Sequence, residues 1–169
     1  ELDDVFALQD KVTATVAAAI EPRVLEAEIA RATRKSTSKL EAYDYCLQAR
    51  RHVLSPTPES TDRAMALLRL ATDIDRGYAQ AWMMKALCVN FRFLLGLEEG
   101  NRDSASIEAV KYAREAVSCD RDDPEVLAVA AYLTVMAGDP VGAADLHKRA
   151  FALNPHSNSV CVFGGWVQI

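Results

Sequence analysis

Apolar residues along this chain recur at helical spacing. In the N-terminal stretch Leu8, Val12, Val16, Ile20 and Val24 fall four residues apart and make one apolar stripe on a helix. Pro22 removes a backbone donor and kinks or restarts that helix. Further along, Ala64–Arg76, Ala109–Arg121 and Ala143–Pro155 align without gaps. Each carries an Ala, a second Ala seven residues later, and Asp or Asn four residues beyond that. Positions seven apart lie on one helix face, two turns along. Alanine at both lets a neighbouring helix come close, and a large side chain there costs about 1–3 kcal/mol by overpacking. A second helical stretch precedes each segment: Leu40 to about Val53, Tyr78 to about Leu95, and Glu125 to Ala137.

The third pair is punctuated most clearly. Asp123 can cap its first helix, with Pro124 at the opening position, where a missing N–H is harmless. Gly138 can take the left-handed conformation that ends a helix, and Asp139-Pro140 repeats the cap-and-proline start. From Ala109 to Ala143 is 34 residues, whereas Ala64 to Ala109 is 45. The difference predicts an insertion mostly over Gly96–Ser106, and the turn Ser55–Ser60 of the first pair is also slightly long. Such loops are thermodynamically cheap. The chain starts within an apparent helix, Glu1–Phe6, and reaches Trp166–Ile169 without a terminating residue, which points to a piece of a longer protein.

Composition sharpens this picture. Half of the 169 residues are hydrophobic, with seven Gly and six Pro, which excludes disorder and low complexity. A net charge of -5 gives no electrostatic reason to bind nucleic acid or an anionic membrane. The basic cluster Arg31, Arg34, Lys35 and Lys39 reads as a solvated helix end. The longest apolar run, Val126–Ala137, is too short to cross a bilayer. Cys46, Cys88, Cys119 and Cys161 form no Cys-x-x-Cys pair and have no histidine at zinc spacing, so they read as small core hydrophobes. The expectation is a soluble, cytoplasmic protein with no metal and no cofactor.

Signals for catalysis are weak. His52, His147 and His156 have no Ser, Cys or Asp at a spacing that suggests a triad, and His147 reads as a histidine at the edge of the core. Glu98–Asp103 is acidic but lacks the alternating ligands of a calcium loop, and reads as a solvated loop.

The paired alanines with following Asp, Ala81-Trp82 in a first helix and the Gly138 turn resemble tetratricopeptide (TPR) repeats over residues 40–169. Two departures stand out. The proline that usually follows the second helix is replaced by Arg76 and Arg121 and kept only at Pro155; the large residue between the alanines is Leu68, but Ala113 and His147 elsewhere. The resemblance implies an all-α, antiparallel helix-hairpin fold coiled into a right-handed superhelix, preceded by an N-terminal linker helix. Its parts would be the linker over 1–35, repeats over 36–76, 77–121 (with the 96–106 insertion) and 122–155, and a truncated first helix of a fourth repeat over 156–169.

A more specific resemblance lies upstream. Asp4–Thr13, Ala19–Pro22, Ala27–Ala32 and Leu40–Tyr45 resemble the junction ahead of the C-terminal repeats in soluble bacterial class III adenylate/guanylate cyclase-like proteins. The same junction occurs in some winged-helix transcriptional regulators. Either parent implies a catalytic or DNA-binding domain upstream, while this chain itself reads as a non-catalytic interaction and regulatory region.

Stacked repeats line a concave groove with one face of each first helix. By phase that face holds Tyr43, Cys46 and Arg50, then Gln80, Met83, Leu87, Asn90 and Phe91, then Glu125, Ala128, Tyr132 and Val135. The surface is mainly apolar and lacks the Lys/Asn cluster that grips a C-terminal carboxylate in chaperone-binding relatives. It either receives an apolar helix or extended segment, from a partner or from the upstream domain of the same polypeptide, or packs on the chain's own helices. The N-terminal stripe must also be buried, on the repeats, on the upstream domain or in a homodimer. A chain shortened to begin near Lys39 is therefore expected to lose stability or change oligomeric state; equal stability and an unchanged state by denaturation and light scattering would contradict this.

Overall fold

The computed structural model describes residues 37–97 and 102–167. They form seven α-helices: α1 (Thr37–Val53), α2 (Pro58–Ile74), α3 (Ala79–Leu94), α4 (Arg102–Cys119), α5 (Pro124–Met136), α6 (Pro140–Leu153) and α7 (Asn158–Val167). No strand occurs among the described residues, and the fold is all-α. By its contacts the chain divides into Glu1–Leu40 and a helical body, Glu41–Ile169. The apolar stripe Leu8–Val24, Pro22 and the linker over 1–35 lie outside the described residues.

Short-range chemistry sets where the helices begin and end. Ahead of α2, Thr57 and Ser60 form a reciprocal capping box: Ser60 N–H donates to Thr57 Oγ1 at 3.1 Å, and Thr57 N–H to Ser60 Oγ at 2.7 Å. Asp123 Oδ1 accepts from Glu125 N–H at 2.8 Å and Val126 N–H at 3.1 Å, and Asp139 Oδ1 from Gly142 N–H at 2.9 Å. Each cap satisfies donors that a helix start would otherwise leave bare. Gly138 ends α5 at φ 90° and Gly96 ends α3 at φ 62°. At both, paired reverse bonds close the last turn: Gly138 N–H to Val135 O and Asp139 N–H to Thr134 O, then Gly96 N–H to Phe93 O and Leu97 N–H to Arg92 O.

The insertion is shorter as a loop than its sequence suggests. Residues 102–106, expected within the 96–106 loop, are helical and extend α4 at its start. Ala105 packs against the core there, so the extra turn gains burial.

Successive helices pack as hairpins, α3 on α4 and α5 on α6, and α5 also touches α3, α4 and α7. All six phased alanines are interior: Ala64, Ala71, Ala143 and Ala150 at 0% exposure, Ala116 at 1% and Ala109 at 2%. One core runs from Ala42, Cys46, Ala49 and Val53 through Leu68 and α3 to Val129 and Leu133. A smaller one joins Leu127, Ala128, Ala150 and Val160. Residues Val126–Leu133 are buried without a break because neighbours cover α5 on several sides.

Two contacts show how tightly the hairpins nest. Lys85 is buried; its Nζ lies 4.4 Å from the Trp82 ring centre and 4.9 Å from that of Tyr112, and donates to Thr72 Oγ1 at 3.4 Å. This cation–π box ties α2, α3 and α4 together. Burial, aided by Arg69, lowers the Lys85 pKa against the pull of Asp73 and Glu108. At the other end, the His147 ring fills the space beside Gly164: a Cβ there would lie 2.2 Å from His147 Cε1. Gly165, one residue on, has open space at the same point. Gly164→Ala is therefore expected to destabilise the fold by about 1–3 kcal/mol, and Gly165→Ala to stabilise it by about 0.5–1 kcal/mol. Urea titration measures both, and equal effects at the two positions would contradict this packing.

Candidate partner-binding site

The first helices of the hairpins are joined by a row of side-chain contacts. Gln80 Nε2 donates to Asp123 Oδ2 at 2.8 Å, Asn90 Nδ2 to Tyr132 Oη at 3.0 Å, and Ser159 Oγ to Glu125 Oε1 at 3.1 Å. These bonds link α3 to α5 and α5 to α7. Beside them the Tyr132 ring lies 5.3 Å from Phe163 and 6.0 Å edge-on from Trp166, centre to centre. Such geometry adds about 0.5–1.5 kcal/mol per pair beyond area burial.

The twelve expected lining residues divide by depth. Cys46, Met83, Leu87, Asn90, Ala128 and Tyr132 are buried. Tyr43, Gln80, Phe91, Glu125 and Val135 are half-buried, and Arg50 is exposed. Ala128, at 0% exposure, belongs to the core with Leu127, Ala150 and Val160, so its place is packing between hairpins. Asn90 and Tyr132 satisfy each other and hold two first helices in register. The accessible part of this face is thus narrower than the phase of the helices suggests: Arg50, Tyr43, Gln80, Phe91, Glu125 and Val135.

The structure adds residues that sequence reasoning missed. Ser159, Phe163 and Trp166 continue the row on α7, and Trp166 remains 55% exposed. Their spacing of four and then three residues is a helical face, the signal that would have found them.

The thiols on these helices are set against nucleophilic chemistry. Burial pushes Cys46 up to about 11, outweighing the Tyr78 hydrogen bond and Arg50, which favour the thiolate. Burial likewise pushes Cys88 up to about 12, against Arg92. Activated cysteines move in the opposite direction. Among the described residues no group of three His, Cys, Asp or Glu is placed to hold a metal. No described helix is long and apolar enough to cross a membrane.

The fold defines an all-α helix-hairpin protein whose first helices share one partly accessible face. No family profile matches the chain. It is similar to a protein of Rhizobium meliloti (strain 1021) named "Putative adenylate cyclase 3", with 28% identity over 124 residues, covering 73% of this chain and 21% of that protein. The chain thus spans about a fifth of that relative's length.

Thiol accessibility tests this arrangement. With a disulfide reagent near pH 8, exposed Cys161 is expected to react fast, and buried Cys46 and Cys88 only on unfolding. Rapid reaction of Cys46 or Cys88 in the native protein would contradict the packing.

Proposed function

We propose that this chain is a non-catalytic, TPR-type protein-interaction and regulatory region of an adenylate/guanylate cyclase-like signalling protein. The observation that carries this reading is the row Gln80–Asp123, Asn90–Tyr132, Glu125–Ser159 with the rings of Phe163 and Trp166, on three first helices in succession. Such a row ties separate hairpins together, so that the accessible side chains beside it can act as one surface, as a segment-binding solenoid requires. Likeness to part of a protein named a putative adenylate cyclase supports a cyclase-like parent. The two buried thiols, held protonated, supply no nucleophile.

The occupant is an apolar helix or extended segment, from a partner protein or from the upstream domain of the same polypeptide. Trp166 and Phe91 offer apolar contact, and Arg50 a charge to fix direction.

Two measurements test the reading. Incubated with ATP or GTP and Mn²⁺, the chain alone is expected to form no cyclic nucleotide; turnover would overturn the assignment. In the longer protein, Arg50→Ala with Trp166→Ala is expected to shift cyclase activity or its response to a partner by about fivefold or more, while far-UV circular dichroism shows the helices retained despite the lost Tyr132–Trp166 ring contact. Unchanged activity and response would remove the proposed role from this face.

A further inference from the structure

A titratable side chain sits in the seam that holds α7. His147 of α6 occupies the position between Ala143 and Ala150 that Leu68 fills between Ala64 and Ala71. Its ring lies so close to Gly164 of α7 that a Cβ there would meet Cε1 at 2.2 Å and Nε2 at 2.8 Å. The Phe151 ring stands 6.3 Å away, centre to centre. Nearby in both helices, Ala150 and Val160 share one apolar cluster. Nδ1 of His147 is shut away from solvent and has no hydrogen-bond partner. Among the described residues the ring makes no ion pair either.

No element packed on α6 places an acceptor at this nitrogen. α7 carries no charged side chain, and its one titratable group, Cys161, is exposed. α5 has Glu125, which accepts from Ser159, and Tyr132, which Asn90 engages. On α6 itself Asp145, Lys148 and Arg149 are exposed, and Arg149 donates to Arg121 O. In the flanking turns Asp139 caps α6 and His156 is exposed. The neutral ring suits this place with its hydrogen on Nε2 and Nδ1 left a bare acceptor. The imidazolium does not, because Nδ1 becomes a charged donor with neither an acceptor nor access to solvent. Giving it solvent requires the ring and Gly164 to separate.

We propose that His147 is a proton-sensitive latch on α7: neutral, it holds the helix docked, and protonated, it releases it. The undocked state takes up the extra proton. Docking is therefore strongest above the ordinary histidine range and weakens as the pH falls through about 6.5. Release also parts Phe163 and Trp166 from Tyr132, and Ser159 from Glu125, so acid withdraws the α7 end of the partner-binding face. The latch concerns the packing of α7 alone, and its failure leaves the interaction reading intact.

Hydrogen exchange of the α7 amides in the whole chain, at about pH 7.5 and about pH 5.5 and corrected for the intrinsic rate at each, tests the latch. The α7 amides are expected to exchange through an opening of their own, less protected than those of α5. Their protection should fall about five- to tenfold on acidification, the effect of one proton taken up about one pH unit below 6.5. His147→Leu, which places here the leucine of the first hairpin, and His147→Gln should each reduce that change to less than about twofold. The two differ in polarity, and one that keeps wild-type helicity by far-UV circular dichroism is enough for the comparison. His156→Gln, in the exposed turn, should keep the wild-type response. Protection of α7 that is unchanged by pH in the wild type would overturn the proposal. So would a response that survives the His147 substitutions or is lost in His156→Gln, or α7 amides that exchange only together with those of α5.

Discussion

Close approach of helices through small side chains is the constraint on which this structure rests. The alanines of α2, α4 and α6 sit seven residues apart, so each pair faces one neighbour across two turns, and all six are buried. Where the larger partner between them is Leu68, the gap fills with a leucine; where it is His147, the neighbour supplies Gly164 instead. Close packing leaves little slack, because interiors at crystal-like density cannot absorb an added methyl group without moving something. The caps and glycine turns then matter as delimiters. They fix the helix lengths so that each alanine face arrives opposite its partner.

Much of this was legible in the chain itself, and the reason is local. The Ala phase, the Asp123 and Asp139 caps with their prolines, and the left-handed turn at Gly138 each depend on residues within one or two turns. What was not legible depends on distant neighbours. The start of α4 was placed too late because its extra turn is held by Ala105 against the core, a contact that periodicity cannot see. Half of the expected lining is buried because helical phase identifies a face but not how many neighbours crowd it. Ala128 is the clearest case, since α6 and α7 both reach the cluster that contains it. The α7 residues Ser159, Phe163 and Trp166 were overlooked for the converse reason: their helix read as a remnant, while the structure gives it aromatic and polar contacts to α5.

The interior is also more polar than its composition suggests, and the polar groups are placed where hairpins meet. Lys85 lies between Trp82 and Tyr112, Asn90 bonds Tyr132, and Gln80 reaches the cap residue Asp123. Each pairing satisfies a group whose burial alone would be unfavourable, and each admits one relative placement of its helices. Apolar contact supplies the drive to stack; these directional contacts select the register that leaves Phe91, Glu125 and Trp166 at least partly accessible along α3, α5 and α7. That division of labour connects packing to the proposed interaction role.

Native-state hydrogen exchange tests the central claim most directly. If alanine-mediated nesting makes the hairpins one cooperative body, the amides of α3 and α5 will exchange only through global unfolding, at one common free energy, with α7 fraying below it. Amides of α5 that exchange at a free energy far below those of α3 would show that the hairpins are not locked together, and would contradict the account.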